Sequence, residues 1–115
     1  MIELTSKQRK FLEKNAQPLS PLVQIGGAGL TEEQIKNIDK VLESHELIKI
    51  KYNLIKSLSD SESKEELKND RSELDKVIEE KTNSTHVRTI GNVATFYRAA
   101  EDPEKRQFEK GLKKA

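Results

Sequence analysis

The sequence predicts an α/β fold with the element order α-β-α-β-α-β-β and a four-stranded mixed sheet packed against helices. Three observations predict it. Segments with apolar residues at helical spacing alternate with short, branched apolar runs. Helices lie between the first three strands, which is typical of sheet-on-helix layering. The last two strand-like runs are joined by Gly91-Asn92, a two-residue connection that favours a tight hairpin.

The first helix is predicted over Ser6–Ala16. Thr5 and Gln8 have the spacing of a capping box, which satisfies free amide protons at a helix start. Two prolines follow the helix and force an extended connection. The branched run Leu22–Ile25 then predicts a buried strand.

The second helix is predicted over Glu32–Ser44, where apolar residues recur at a spacing of three to four. Thr31 and Gln34 form another capping-box pair at its start. Leu47–Asn53 follows with alternating apolar and lysine residues. This alternation predicts a half-buried strand with a basic outer row.

The second half of the chain predicts one more helix and the hairpin. Ser57–Asn69 is polar and acidic, typical of a solvated loop or a frayed helix, and Asp70–Lys81 has helical apolar spacing. His86–Ile90 and Val93–Arg98 are the hairpin strands.

The end of the chain is predicted to be a basic tail. Asp102-Pro103-Glu104 resembles a helix start with proline at its first position, so the tail is either a short helix or disordered. We therefore expect one domain over residues 1–100 and a basic tail over 101–115.

Composition excludes several classes of protein. The 115 residues contain no cysteine, which excludes disulfides, zinc ribbons, iron–sulfur clusters and thiol catalysis. Uninterrupted apolar runs are too short for a membrane span or a signal peptide. We expect a monomeric cytoplasmic protein with no membrane partner.

The net charge of +1 conceals an uneven distribution. Residues 60–80 carry nine acidic and four basic side chains, whereas residues 81–115 carry eight basic and four acidic ones. Residues 1–59 are mildly basic. Because the distribution of charge matters more than its total for an anionic ligand, an RNA or DNA partner remains open.

A glycine cluster, Gly26-Gly27-Ala28-Gly29, lies between the first strand and the second helix. The cluster does not fit a P-loop, because Leu30-Thr31 follows it where a P-loop requires Lys-Ser/Thr. It does not fit a dinucleotide-binding fingerprint either, because the third glycine of that motif is absent. A GxxG loop fits, and in KH modules such a loop clamps the nucleotide backbone. A tight strand-to-helix turn with no ligand is the alternative.

Four blocks of the chain resemble the YhbY-like, CRM-domain RNA-binding proteins, in the right order over residues 3–98. The blocks are Leu4–Leu12, Pro21–Glu33, His45–Lys51 and Ile90–Arg98. The resemblance implies a compact α/β domain similar to the C-terminal domain of translation initiation factor 3, with the GxxG loop facing RNA. It also implies association with ribosomal RNA in precursors of the large ribosomal subunit.

The candidate RNA-binding residues are the loop and the basic side chains near it. Backbone amides of the loop would hold phosphates, and lysines and arginines would neutralise them. For the basic residues of the first helix, a solvated helix face is the alternative. The candidates are Gly26, Gly27, Ala28 and Gly29 in the loop, Lys7, Arg9, Lys10 and Lys14 on the first helix, Lys36 and Lys40 on the second, and Arg98 after the last strand.

No pattern indicates an enzyme, a metal site or a cofactor. His45 and His86 are isolated from carboxylates at metal-ligand spacing, and no nucleophile–base pair is evident. The sequence therefore predicts a non-catalytic RNA-binding protein. A protein-interaction module on the same fold, with little RNA affinity, is the alternative.

Overall fold

The computed structural model describes residues 3–26, 30–53 and 64–114, with side chains in the third helix described from residue 72 onward. Over these residues a four-stranded mixed sheet has helices on both faces. The helices are α1 (Ser6–Ala16), α2 (Glu32–His45), α3 (Lys64–Thr82) and α4 (Glu109–Lys114), and a 3-10 turn spans Pro103–Lys105. The strands are β1 (Val23–Ile25), β2 (Leu47–Tyr52), β3 (Thr85–Ile90) and β4 (Val93–Tyr97).

The predicted order and the mixed sheet are confirmed. The strand order across the sheet is β1-β2-β4-β3; β1 and β2 are parallel, and the other two pairings are antiparallel. The Gly91-Asn92 turn joins β3 to β4. Gly91 has a φ of 59°, a left-handed value that glycine adopts without steric cost.

Two capping boxes set the starts of α1 and α2. Thr5 and Gln8 exchange both bonds of the box at α1, and Thr31 and Gln34 do so at α2. Each box satisfies two amides at the helix start that would otherwise lack a partner. Both starts therefore fall at the predicted residues.

The third helix is longer than predicted. It begins at Lys64, six residues before the predicted start at Asp70, so residues 64–69 of the predicted loop or frayed helix are helical. Residues 57–63 of that prediction lie outside the described residues. The added turns contain strong helix formers such as glutamate and lysine but few apolar residues, so the periodic pattern did not reveal them.

The sheet separates two apolar clusters. One lies against α2 and α3 and includes Ile25, Ile48 and Phe96. The other lies against α1 and α4 and includes Leu12, Leu47, Val87, Tyr97 and Leu112. Leu47 is buried although it shares a face with Lys49 and Lys51, because α1 covers only the start of β2.

The C-terminal segment packs against α1. Leu112 is buried in the second cluster, and the Gln8 side-chain amide donates to its carbonyl over 3.1 Å. A Cβ built on Gly111 would lie 2.1 Å from the ring of Phe11, so a larger residue at this position would displace that ring. Asp102 caps the 3-10 turn with Pro103 at its first position, the helix-start pattern seen in the sequence.

Glu46 joins the C-terminal segment to the start of β2. Its side chain is 1% exposed, and its carboxylate accepts hydrogen bonds from the backbone amides of Ala100, over 2.8 Å, and Gln107. The pKa of Tyr97 is raised to about 12, mainly by burial and then by the nearby carboxylates of Glu46 and Glu109. Arg106 lowers it by a smaller amount. Tyr97 is therefore protonated at neutral pH.

A second buried carboxylate, Asp75, joins α3 to β2 and β3. The Tyr52 hydroxyl donates to it over 2.6 Å and the Thr89 hydroxyl over 2.9 Å, while His86 Nε2 lies 3.3 Å away. Burial, followed by the bond to Asp75, raises the pKa of Tyr52 well above its ordinary value. The hydroxyl remains a donor at neutral pH, and the carboxylate keeps hydrogen-bonding partners.

Candidate nucleic-acid interface

The structure distributes the predicted basic residues over four places. Lys7, Lys10 and Lys14 form one exposed stripe along α1, here called the α1 lysine stripe. Their spacing of three and four residues puts them on one side of the helix, opposite the buried Leu12 and Ala16. Their side chains make no ion pair or hydrogen bond within the described part of the chain. Their charges are therefore available to an anionic ligand.

Arg9 is on the same helix but faces the sheet. Its guanidinium donates to the carbonyls of His86, over 2.9 Å, and Val87. The β3–β4 register shifts between His86 and Arg88, so Val87 is the extra residue of a β-bulge, where ladder hydrogen bonds are interrupted. Arg9 thus donates to two carbonyls at the bulge.

Arg98 lies at the end of the sheet opposite the glycine cluster. Its guanidinium is engaged by the Asp39 carboxylate and carbonyl, by the Thr82 carbonyl at 2.8 Å and by Glu43 at 3.3 Å. The side chain is 17% exposed. It connects α2 to the end of α3, and it lines the same cavity as Lys40.

Lys36 and Lys40 are exposed and lie one turn apart on α2. Because α1 and α2 pack against opposite faces of the sheet, these two lysines do not extend the α1 lysine stripe. They lie on the helix that follows the glycine cluster, with Lys36 nearer its start. The predicted basic side chains therefore form two separate surfaces.

The glycine cluster lies where β1 meets α2. Gly26 directly follows β1, whereas Gly27, Ala28 and Gly29 lie outside the described residues. A Cβ built on Gly26 would meet no atom within 4 Å, so packing does not require glycine there.

The end of the sheet beside this cluster is ordered by hydrogen bonds. Parallel β1 and β2 both end there, and the hairpin turn lies beside them. The Asn53 amide donates to the Ile25 carbonyl and the Tyr52 amide to the Asn92 carbonyl, each over 2.7 Å. The side chain of Asn53 also donates to that of Gln24 over 2.8 Å.

The charge at the start of α2 is acidic. Glu32 and Glu33 lie in its first turn and are exposed, which suits the positive end of the helix dipole. The capping box already engages the amides of Thr31 and Gln34. A phosphate at this place would therefore rely on loop amides and on cations from the sheet and α1.

Three cations on the sheet were absent from the sequence-based candidates. Lys49 and Lys51 lie on β2 and Arg88 on β3, on the face that α1 partly covers. The alternation in β2 indicated a basic row, but the sequence does not reveal how much of that face α1 leaves uncovered.

The described residues offer no sign of metal or membrane chemistry. No group of three histidine, cysteine or acidic side chains among them could hold a metal ion. Among the same residues, no helix combines the length and apolarity needed to cross a membrane.

Comparison with known proteins covers nearly the whole chain. The CRS1 / YhbY (CRM) domain matches residues 4–98. A Haemophilus influenzae protein named "RNA-binding protein" is 36% identical over 102 residues, which are 89% of this chain and 92% of that protein. "Probable RNA-binding protein YqeI" of Bacillus subtilis is 37% identical over 106 residues, 92% of this chain and 97% of the relative.

A solved structure supports the same fold. The solution structure of the Staphylococcus aureus protein SAV1595, named there as a candidate RNA-binding protein, aligns with a TM-score of 0.69 and 32% identity. The alignment covers 91% of this chain and 98% of that one. The likeness therefore extends over the α/β domain as a whole.

Proposed function

The chain belongs to the CRS1 / YhbY (CRM) domain family, and from that premise we propose that it is a non-catalytic RNA-binding protein of large-subunit ribosome assembly. It acts as a cytoplasmic monomer on ribosomal RNA. The observation that carries the proposal is the match over about nine-tenths of the chain to two relatives named for RNA binding. The α1 lysine stripe supports it, because these unpaired cations suit a phosphate backbone.

In this proposal the α1 lysine stripe supplies sequence-independent affinity and the GxxG loop adds backbone hydrogen bonds. Amides of residues 26–29 donate to phosphate oxygens, and Lys36 and Lys40 extend the contact along α2. Contacts of this kind position the RNA without reading its bases. Recognition then depends on RNA structure more than on sequence.

Sedimentation tests the proposed association. Tagged protein in cell lysate is expected to migrate with large-subunit precursors on a sucrose gradient and to leave them after ribonuclease treatment or at high salt. Protein that stays at the top of the gradient even at low salt would contradict the assembly role. RNA affinity no better than that of a charge-matched control protein would instead favour a protein-interaction role.

Removing the charges of the α1 lysine stripe is expected to weaken RNA binding. In the triple variant K7Q/K10Q/K14Q, the slope of log K against log salt should become shallower by about 2, at about 0.7 per phosphate contact on a single strand. Fluorescence anisotropy with labelled RNA over a salt series measures this slope. The matched control is K76Q/K81Q/K105Q, which removes three exposed lysines elsewhere; equal slopes for the two triple variants would contradict the role of the stripe.

Gly26→Ala tests the loop. Because a Cβ at this position meets no atom within 4 Å, the melting temperature should stay unchanged. If the Gly26 backbone approaches a phosphate closely, the added methyl group should raise the Kd about tenfold, which corresponds to losing one hydrogen bond to a charged group, about 1.5 kcal/mol. A bulky residue at Gly29 should act in the same direction. Unchanged affinity in both variants would count against the loop.

A further inference from the structure

One half of a sheet face is left uncovered by the helices. We call it the open sheet face, and it consists of Gln24, Lys49, Lys51, Arg88, Ile90 and Val93. The register aligns one residue from each strand across its outer row: Gln24, Lys51, Val93 and Ile90. The lysine, the glutamine and the isoleucine of this row are exposed, and Ile90 is 66% exposed.

The open sheet face lies on the same side of the sheet as α1. The Lys49 ammonium donates to the Gln17 carbonyl, just after α1, over 3.4 Å. Arg88 donates to the Glu13 carboxylate over 3.0 Å. The C-terminal end of α1 thus borders the open sheet face, and the glycine cluster begins directly after Ile25, the last residue of β1.

The charge of this face is positive. It carries three cations, and the Lys51 side chain has no ion-pair or hydrogen-bond partner in the ranges the structure describes. Arg88 is paired with Glu13, but its side chain is 58% exposed. An ion pair this accessible to water is worth at most about 1 kcal/mol, so a phosphate can take the place of Glu13.

The chemistry of the face fits an RNA strand better than a protein strand. A protein strand would pair with the exposed backbone of a sheet edge, whereas the open sheet face presents side chains. At the β3 edge, moreover, Arg9 already binds carbonyls. The exposed Ile90 and half-buried Val93 offer apolar contact to sugars or base faces between the cations.

We propose that the open sheet face is a second RNA-contact surface, continuous with the α1 lysine stripe, in which Lys49, Lys51 and Arg88 bind backbone phosphates. Glu13 opposes this binding, both by pairing with Arg88 and by repelling phosphate. The proposal rests on the proposed RNA-binding function and adds a surface to it. It adds an RNA contact on the α1 side of the sheet.

Charge-neutralising variants test the surface by fluorescence anisotropy with labelled single-stranded RNA of mixed sequence. The variant K49Q/K51Q should reduce the salt slope by about 1.4, which corresponds to two phosphate contacts. Its affinity should fall roughly fivefold per lost contact near 0.1 M salt. The matched control, K76Q/K81Q, removes two exposed lysines of α3 on the other side of the sheet.

Glu13→Gln is expected to change RNA affinity in the opposite direction. It releases Arg88 and removes a negative charge, so RNA affinity should rise about threefold to fivefold, a gain that misfolding cannot mimic. If K49Q/K51Q and K76Q/K81Q have the same slope, or if Glu13→Gln leaves affinity unchanged, the surface is not an RNA contact while the proposed function stands. If the wild-type protein itself fails to bind RNA, both proposals fall.

Discussion

Replacing Glu46 with alanine is expected to lower the free energy of unfolding by about 3 kcal/mol, since two backbone amides lose a charged acceptor worth about 1.5 kcal/mol each. Those amides belong to Ala100 and Gln107, which lie beyond the last strand. For a domain of this length the melting temperature should fall by about 12 °C. Thermal or urea unfolding followed by circular dichroism measures both quantities.

Comparison with other substitutions at Glu46 separates its side chain from its backbone. Glu46 has φ 64° and ψ −47°, a backbone conformation that residues other than glycine rarely adopt. Glu46→Gly loses the same carboxylate but relieves this strain, so it should be more stable than Glu46→Ala by about 1 kcal/mol. Glu46→Gln keeps one acceptor oxygen, so its stability should lie between that of the wild-type protein and that of Glu46→Ala.

The control for this series is Glu80→Ala, at an exposed position on α3. It should change the free energy of unfolding by no more than about 0.5 kcal/mol. A loss at Glu46→Ala no larger than this control would show that the contacts of Glu46 with the C-terminal segment do not stabilise the fold.

The parts of the fold that the sequence predicted well depend on neighbouring residues. The capping pairs Thr5 with Gln8 and Thr31 with Gln34 are local, and they located two helix starts correctly. The hairpin turn is local too, because Gly91 alone supplies the positive φ that it needs. The start of α3 lacks an apolar stripe in the sequence, so periodicity alone predicts it six residues too late, although Ser63 and Glu66 have the spacing of a capping box.

The functions of single charged residues were not readable, because they depend on distant partners. Arg9 was grouped with Lys7 and Lys10 as a phosphate contact, yet its guanidinium reaches carbonyls 77 and 78 residues away. Glu46 resembles any acid at a helix end until the C-terminal segment closes over it. Composition and periodicity carry no information about such contacts.

The open sheet face illustrates a different limit. Alternation in β2 predicts which residues share a face, so Lys49 and Lys51 are predicted to lie together on the basic face of this strand. That face is covered by α1 at Leu47 and uncovered at Lys51. The coverage depends on where a helix crosses the sheet, which is a tertiary property. A basic row on a strand is therefore a site candidate only once the packing is known.

Replacing Arg98 with alanine is expected to destabilise the protein by about 2 kcal/mol while leaving RNA affinity unchanged. The guanidinium donates to the carbonyls of Asp39 and Thr82 and pairs with two carboxylates, so alanine leaves these groups without their charged donor. RNA affinity should not depend on Arg98, because its charge is already paired with Asp39 and Glu43 and it lies at the end of the sheet away from the glycine cluster. Urea unfolding tests the expected loss of stability, and fluorescence anisotropy with labelled RNA, measured below the melting temperature, tests the unchanged affinity.

Arg88→Ala is the matched comparison, since it removes the same side chain from the open sheet face. Its ion pair with Glu13 is exposed, so stability should change by less than about 1 kcal/mol, while RNA affinity should fall. The two variants are thus expected to affect different quantities. Arg98→Ala should lower stability, and Arg88→Ala should lower RNA affinity. If Arg98→Ala instead lowers RNA affinity with little loss of stability, Arg98 contacts RNA directly, and its bonds to α2 and α3 contribute little to the fold.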